Sequence, residues 1–162
     1  HTTTNEEPIL SVIWLFRDNW LKYTNHRRSL NHSWSHRTPV HCFTGNENAL
    51  SEYLDLDMYI GITGWICDER RGTDLQRIVK HIPSDRLLIE TDSPYLLPRT
   101  IKPKPKSRRN EPRHLPEVAK TIAEHTLNEV NEIAHITSRN AVKLFNLPIE
   151  NIPPTTRCSA KK

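Results

Sequence analysis

Two carboxylates, Glu90 and Asp92, stand in "RLLIETDSPYLLPR" (residues 86–99), directly after Leu87, Leu88 and Ile89, which read as a buried strand. Acids leaving an apolar strand repel each other and lose hydration, so they require protons, Arg or Lys partners, or a cation. Polar residues punctuate the sequence upstream in the same way: His41 and Thr44 in "HCFTG", and Thr63 in "GITG". A His and an Asp brought together with oxygen donors nearby form a ligand set for zinc, manganese or magnesium. The plainer reading of the same spacing is that Asp92 caps the turn before Pro94, Glu90 pairs with a basic residue, and His41 is a satisfied core histidine. His26, His32 and His36 contain an H-x-x-x-H pair that a helix would place on one face. No carboxylate motif accompanies them, and their surroundings read as solvated and irregular.

After the carboxylates comes a basic run. Arg99, Lys102, Lys104, Lys106, Arg108, Arg109 and Arg113 lie together with Glu111 as the only acid among them, and Pro103 and Pro105 keep the chain extended. Such a run is either a solvated loop or a non-specific track for phosphates.

The elements that must position these residues follow from the apolar pattern. "PVHCF", "MYIGITG" and "RLLIETD" read as strands, with strands expected near 39–43, 58–62 and 86–91, and "NENALSEYLDL" and "GTDLQRIVKHI" read as the helices between them. Strand, helix and strand in repetition predict a parallel sheet of right-handed βαβ units. The carboxyl ends of such strands converge on one face, so His41, Thr63, Glu90 and Asp92 are expected to meet. Two more helices are expected in "LPEVAKTIAEHT" and "LNEVNEIAHITSRNAVKLFNL". Upstream, residues 8–16 read as a strand and residues 20–28 as a helix.

The chain has 162 residues, 35% of them hydrophobic and 26% charged, enough for one globular domain with its own core. Its 23 Lys and Arg against 19 Asp and Glu give a net charge of +4, which permits a polyanionic partner without requiring one. Cys42, Cys67 and Cys158 show no C-x-x-C spacing. They indicate neither a disulfide framework nor a thiolate zinc site, and they fit a reducing, intracellular compartment, cytoplasmic or nuclear. No apolar run reaches the length of a membrane span, and the first residues lack a secretory pattern. The chain opens on His1 and reads as a fragment.

The stretches "VHCFTG", "YIGITGWICDERRGTDLQRIV", "LLIETDSPYLLPR" and "RRNEPRHLPEVAKTIA", continuing into "SRNAVKLFNL", together resemble the second half of the TatD-type metal-dependent deoxyribonucleases. The resemblance runs from Pro39 to about Pro148. It implies an α/β fold, the C-terminal half of a (β/α)8 TIM-type barrel truncated at the N-terminus, that hydrolyses phosphodiester bonds in DNA with divalent metal ions, the choice among magnesium, manganese and zinc left open. Carried onto this sequence, the motifs imply metal ligation by His41 and Asp92, catalytic roles for Asp92 and Glu90, and substrate contacts from Arg108, Arg109, Asn110 and Glu111. In such enzymes the metals activate a water for attack on phosphorus and neutralise charge on its oxygens, while an aspartate beside that water assists proton transfer.

The departures from the family pattern are as specific. Its first strand carries a His-x-His or His-x-Asp pair and a later strand a glutamate ligand, neither of which is found here. A further family histidine stands two residues before an Arg-Asp pair, whereas "WLFRD" keeps Arg17 and Asp18 with Leu15 in that place. Residues 1–38 therefore read as a degenerate or misread segment with one strand-like stretch, residues 39–148 as a partial barrel, and residues 149–162 as a disordered tail. With only His41 and Asp92 as ligands, this chain is expected to turn over DNA slowly or not at all. The alternative is a noncatalytic remnant or mispredicted fragment with at most weak nucleic-acid binding. A half barrel is also expected to self-associate through unpaired sheet edges.

Overall fold

β-branched and leucine residues build three short strands in the computed structural model, which describes residues 39–147. The strand expected over 8–16, the helix over 20–28, the His26, His32 and His36 group, Leu15 and the 149–162 tail lie outside the described residues. β1 (Pro39–Val40), β2 (Tyr59–Ile62) and β3 (Leu87–Ile89) pair in parallel in the order β1-β2-β3. Each strand is followed by helix before the next, as the sequence pattern predicts. The strands lie where expected with tighter bounds, and β1 stops early because Cys42 turns into the left-handed region at φ 49°.

All four β2 residues are buried, as a parallel sheet covered on both faces requires. The register sets Ile60 beside Leu87, Gly61 beside Leu88 and Ile62 beside Ile89. Ile60, Ile62, Leu87 and Ile89 thus share one face and enter the main core, while Tyr59 and Leu88 turn to the other face and pack with Ala141 and Leu144.

Helix α1 (Glu47–Asp55) begins where the Asn46 side chain accepts the Ala49 N–H at 3.0 Å. Helix α2 (Thr73–Ile78) continues as a 3-10 turn through Val79–His81. Helix α3 (Leu115–Thr126) buries Leu115, Val118, Ala119, Ile122 and Ala123, the spacing of one helical face. It ends at Leu127, whose φ of 57° breaks the helix. Helix α4 (Val130–Phe145) is fastened to the sheet by Asn140, whose buried amide donates to the carbonyls of Ser84 at 2.7 Å and Leu87 at 2.8 Å.

The amino ends of β2 and β3 are held by Arg86, which bonds Asp57 and Asp85 and lies over the Tyr59 ring at 5.3 Å. Charges at this end serve stability, leaving the carboxyl ends for chemistry. Among the described residues, no helix is long and apolar enough to cross a membrane.

Candidate metal and nucleic-acid site

The sheet register brings His41 level with Gly61, one residue beyond the Val40–Ile60 pair, and Glu90 stands on the same face just past β3. Glu90 crosses the missing side chain of Gly61 to reach His41. A Cβ at Gly61 would overlap the Glu90 carboxylate and crowd the Val40 carbonyl, so glycine is what leaves room for the contact. Oε2 of Glu90 lies 2.5 Å from Nδ1 of His41, and Oε1 accepts the Cys42 N–H at 2.6 Å. A side chain only 2% exposed is thereby satisfied at both oxygens.

With Nδ1 engaged, the other imidazole nitrogen faces Asp92: Nε2 is 3.5 Å from Oδ1, and both side chains are about one-third exposed. The hydrogen bond to Glu90 raises the His41 pKa above the ordinary imidazole value; partial burial opposes it, and the charges of Glu90 and Asp92 add to the rise. The plainer reading of the carboxylates therefore holds in part. Glu90 has a basic partner, and the Asp92 carbonyl closes a turn by accepting the Tyr95 N–H at 2.7 Å, yet the Asp92 carboxylate remains directed at imidazole.

The pair suits a divalent cation. A carboxylate holding the far nitrogen of a ligating histidine is the usual support of such a ligand, and donors about 2.1 Å from a common ion at a tetrahedral angle stand roughly 3.4 Å apart. His41 and Asp92 supply only a pair of donors: among the described residues, no group of three or more His, Cys, Asp or Glu side chains could hold a metal ion. Cys42 is close, but burial pushes its thiol pKa up and its sulfur lies 3.4 Å from the Thr63 hydroxyl. Thr63 is fully buried and caps the 3-10 turn Gly64–Cys67, and Thr44 is exposed beyond β1.

The loop after β3 carries the predicted substrate residues. Lys102, Lys104, Lys106, Arg108 and Arg109 are all exposed, and none forms an ion pair among the described residues. The ends of the run differ. Arg113 pairs with Glu111 at 3.0 Å, and Arg99 reaches Asp68 at 3.2 Å. Asn110 is 4% exposed. Its N–H donates to the Pro94 carbonyl at 3.0 Å and its amide nitrogen lies 3.4 Å from both the Thr91 hydroxyl and the Leu96 carbonyl, so it clasps the turn that holds Asp92. Glu111 caps the 3-10 turn Pro112–His114 that leads into α3.

Asp68, Gly61 and Tyr95 were not singled out by spacing. Asp68 is nearly buried, accepts the N–H groups of Arg70 and Arg71, and binds the guanidinium groups of Arg71 and Arg99, which together hold its carboxyl well below the usual carboxylate range. It anchors the start of the basic loop. Its signal in the sequence is an acid followed closely by an Arg-Arg pair; the exposed Tyr95 is marked only by its place three residues after Asp92.

A parallel α/β arc with an imidazole and carboxylates at its carboxyl edge is the architecture of a barrel-type metal-dependent hydrolase. The comparisons define it further. The family model described as TatD related DNase matches residues 17–146, and the chain belongs to that family. The match begins upstream of the described residues and includes Arg17 and Asp18. The chain is 54% identical over 117 residues to a protein from Edwardsiella piscicida named 3'-5' ssDNA/RNA exonuclease TatD, covering 70% of this chain and 45% of that protein. A protein of the same name from Klebsiella pneumoniae is 45% identical over 122 residues, covering 74% and 46%. The chain thus spans a little under half the length of these curated relatives. A TatD family hydrolase from Entamoeba histolytica superposes with a TM-score of 0.59 at 26% identity, over 67% of this chain and 42% of that one. The TatD homolog YJJV from Escherichia coli K12 gives 0.59 and 26% over 68% and 41%. The described fold is a partial TIM-type barrel of this family.

Proposed function

We propose that this chain carries part of the active site of a TatD-type nuclease that hydrolyses phosphodiester bonds in single-stranded DNA or RNA with a divalent cation, working in the cytoplasm or nucleus. The observation that carries the reading is the His41 imidazole held by buried Glu90 at Nδ1 with its Nε2 turned toward Asp92. A cation bound by His41 and Asp92, whether magnesium, manganese or zinc, supplies Lewis acidity toward a phosphate oxygen and acidifies a water.

The residues do the rest. Glu90 touches no substrate; it fixes the tautomer and orientation of His41 and keeps the ligating nitrogen outward. Asp92, one-third exposed, accepts a proton from the attacking water at Oδ1 or Oδ2. Arg108 and Arg109, with the lysines before them, take the phosphates on either side of the scissile bond. Asn110 and Glu111 contribute by holding the loop that presents those arginines.

The absence of a third ligand among the described residues favours a second reading, a nucleic-acid binder without turnover. One assay separates the two. Purified chain with manganese or magnesium should cleave single-stranded DNA slowly, and cleavage should vanish with chelator and in Asp92→Asn. Cleavage indifferent to that substitution would refute the site; no cleavage above the chelated control would leave the binding reading.

A further inference from the structure

Five large apolar side chains stay exposed among the described residues: Tyr53, Leu56, Tyr95, Leu127 and Val130. Tyr53 lies on α1, Leu56 precedes β2, and Leu127 and Val130 bracket the turn between α3 and α4. Tyr95 alone belongs to a loop leaving the carboxyl end of a strand, the edge that holds His41 and Asp92. It is 71% exposed, so the ring is available to solvent at that edge.

Its backbone is fixed on both sides. The Tyr95 N–H donates to the Asp92 carbonyl at 2.7 Å, the Asn110 N–H to the Pro94 carbonyl at 3.0 Å, and the Asn110 amide nitrogen approaches the Leu96 carbonyl at 3.4 Å. The residues flanking the ring are thus bonded to the metal-facing carboxylate's own turn and to the residue that follows Arg108 and Arg109. An exposed aromatic on a pinned turn, close in the chain to Asp92 and hydrogen-bonded through its neighbours to the residue after Arg108 and Arg109, which are exposed and form no ion pair among the described residues, is a combination that binds single strands: charge tracks the backbone and a ring stacks on the base.

We infer that Tyr95 is the stacking platform for an unpaired nucleobase next to the phosphate being cleaved. This rests on the nucleic-acid reading above and adds to it a contact that phosphate charges cannot supply. Stacking uses the ring face, so the hydroxyl and the sugar of the bound strand are indifferent to it.

The test is anisotropy titration of the full chain with a fluorescein-labelled single-stranded oligonucleotide, in deoxyribose and ribose forms, and with an abasic version of each. Tyr95→Leu, which keeps apolar bulk, should weaken binding about fivefold to a hundredfold, while Tyr95→Phe stays within about twofold of the parent. The salt slope should not change in either variant, because no phosphate contact is lost. The abasic probes should bind the parent as weakly as the ordinary probes bind Tyr95→Leu, with no further loss when the two changes are combined. Equal affinity of parent and Tyr95→Leu for the base-bearing probe would overturn the stacking role while leaving the phosphate track intact. Failure of the parent to bind any probe at low salt would overturn the nucleic-acid reading, and this inference with it.

Discussion

On the proposed reading Glu90 acts through His41, which its carboxylate contacts, rather than by touching a reactant. Glu90→Gln keeps the shape but removes the charge-assisted bond to Nδ1, freeing the imidazole to change tautomer and turn its ligating nitrogen. Manganese or zinc affinity, measured by calorimetry on this chain, should fall about 10- to 100-fold. An unchanged affinity would mean that His41 is held by something else. The partner of Glu90 lies 49 positions away, which explains why spacing within "ETD" left proton, base and cation all open. Asp68 is the second residue whose environment sets its chemistry. Its folded pKa is depressed, so its contribution to stability is complete above the unfolded value of about 3.9 and is lost as pH falls below it toward the folded pKa. Parent chain should exceed Asp68→Asn in urea stability by about 1–3 kcal/mol near neutral pH. The gap should close progressively below about pH 4; a gap that persists in acid would show that the carboxylate charge is not its source.

At the scale of elements, the strands and helices were legible because their apolar spacing is strict. The face of α3, with Leu115, Val118, Ala119, Ile122 and Ala123, declares itself from five residues, and the run of Leu87 to Ile89 can only be a covered strand. What was not legible is how elements lock together across the sequence. Arg99 looked like one more charge in a basic run, yet it is committed to Asp68, 31 positions earlier; Asn110 looked like a substrate residue, yet its amide is turned into the 91–96 turn. Gly61, which spacing did not single out, is the gap through which Glu90 passes. Gly61→Ala should therefore cost about 1–3 kcal/mol of stability in a thermal or urea melt, from overpacking against backbone and a buried carboxylate. It should also lower metal affinity as Glu90→Gln does. A stable Gly61→Ala with parent-like metal binding would show that the carboxylate can move aside without consequence. Asn140 tests the other end of the sheet: Asn140→Ala strands the Ser84 and Leu87 carbonyls, at about 2–4 kcal/mol, with no direct effect on the metal pair.

Across the whole molecule the modest net charge of +4 understates the field at the site. Several of the acids elsewhere are engaged locally: Asp57 and Asp85 with Arg86, Asp74 with Arg77, Asp68 with Arg71 and Arg99. The positive side chains of Lys102, Lys104, Lys106, Arg108 and Arg109, which form no ion pair among the described residues, are instead concentrated on the one loop that follows Asp92, where on the proposed reading they act together on a polyanion. The end of that loop is tied by Asn110 to the 91–96 turn that carries Asp92 and by Glu111 to the turn before α3. Replacing both Arg108 and Arg109 by Ala should leave the fold intact, since both are exposed and neither is paired among the described residues. Binding of single-stranded DNA should weaken at every sequence tested alike. If each arginine neutralises one phosphate, the slope of log affinity against log salt should flatten by about 1.4, twice the single-strand value per contact. The abasic probes should show the same flattening, because the phosphate track and the Tyr95 ring act on different parts of the nucleotide. Affinity and slope unchanged in the double variant would mean that this loop is solvated charge alone, and that the polyanion is drawn to another face of the chain.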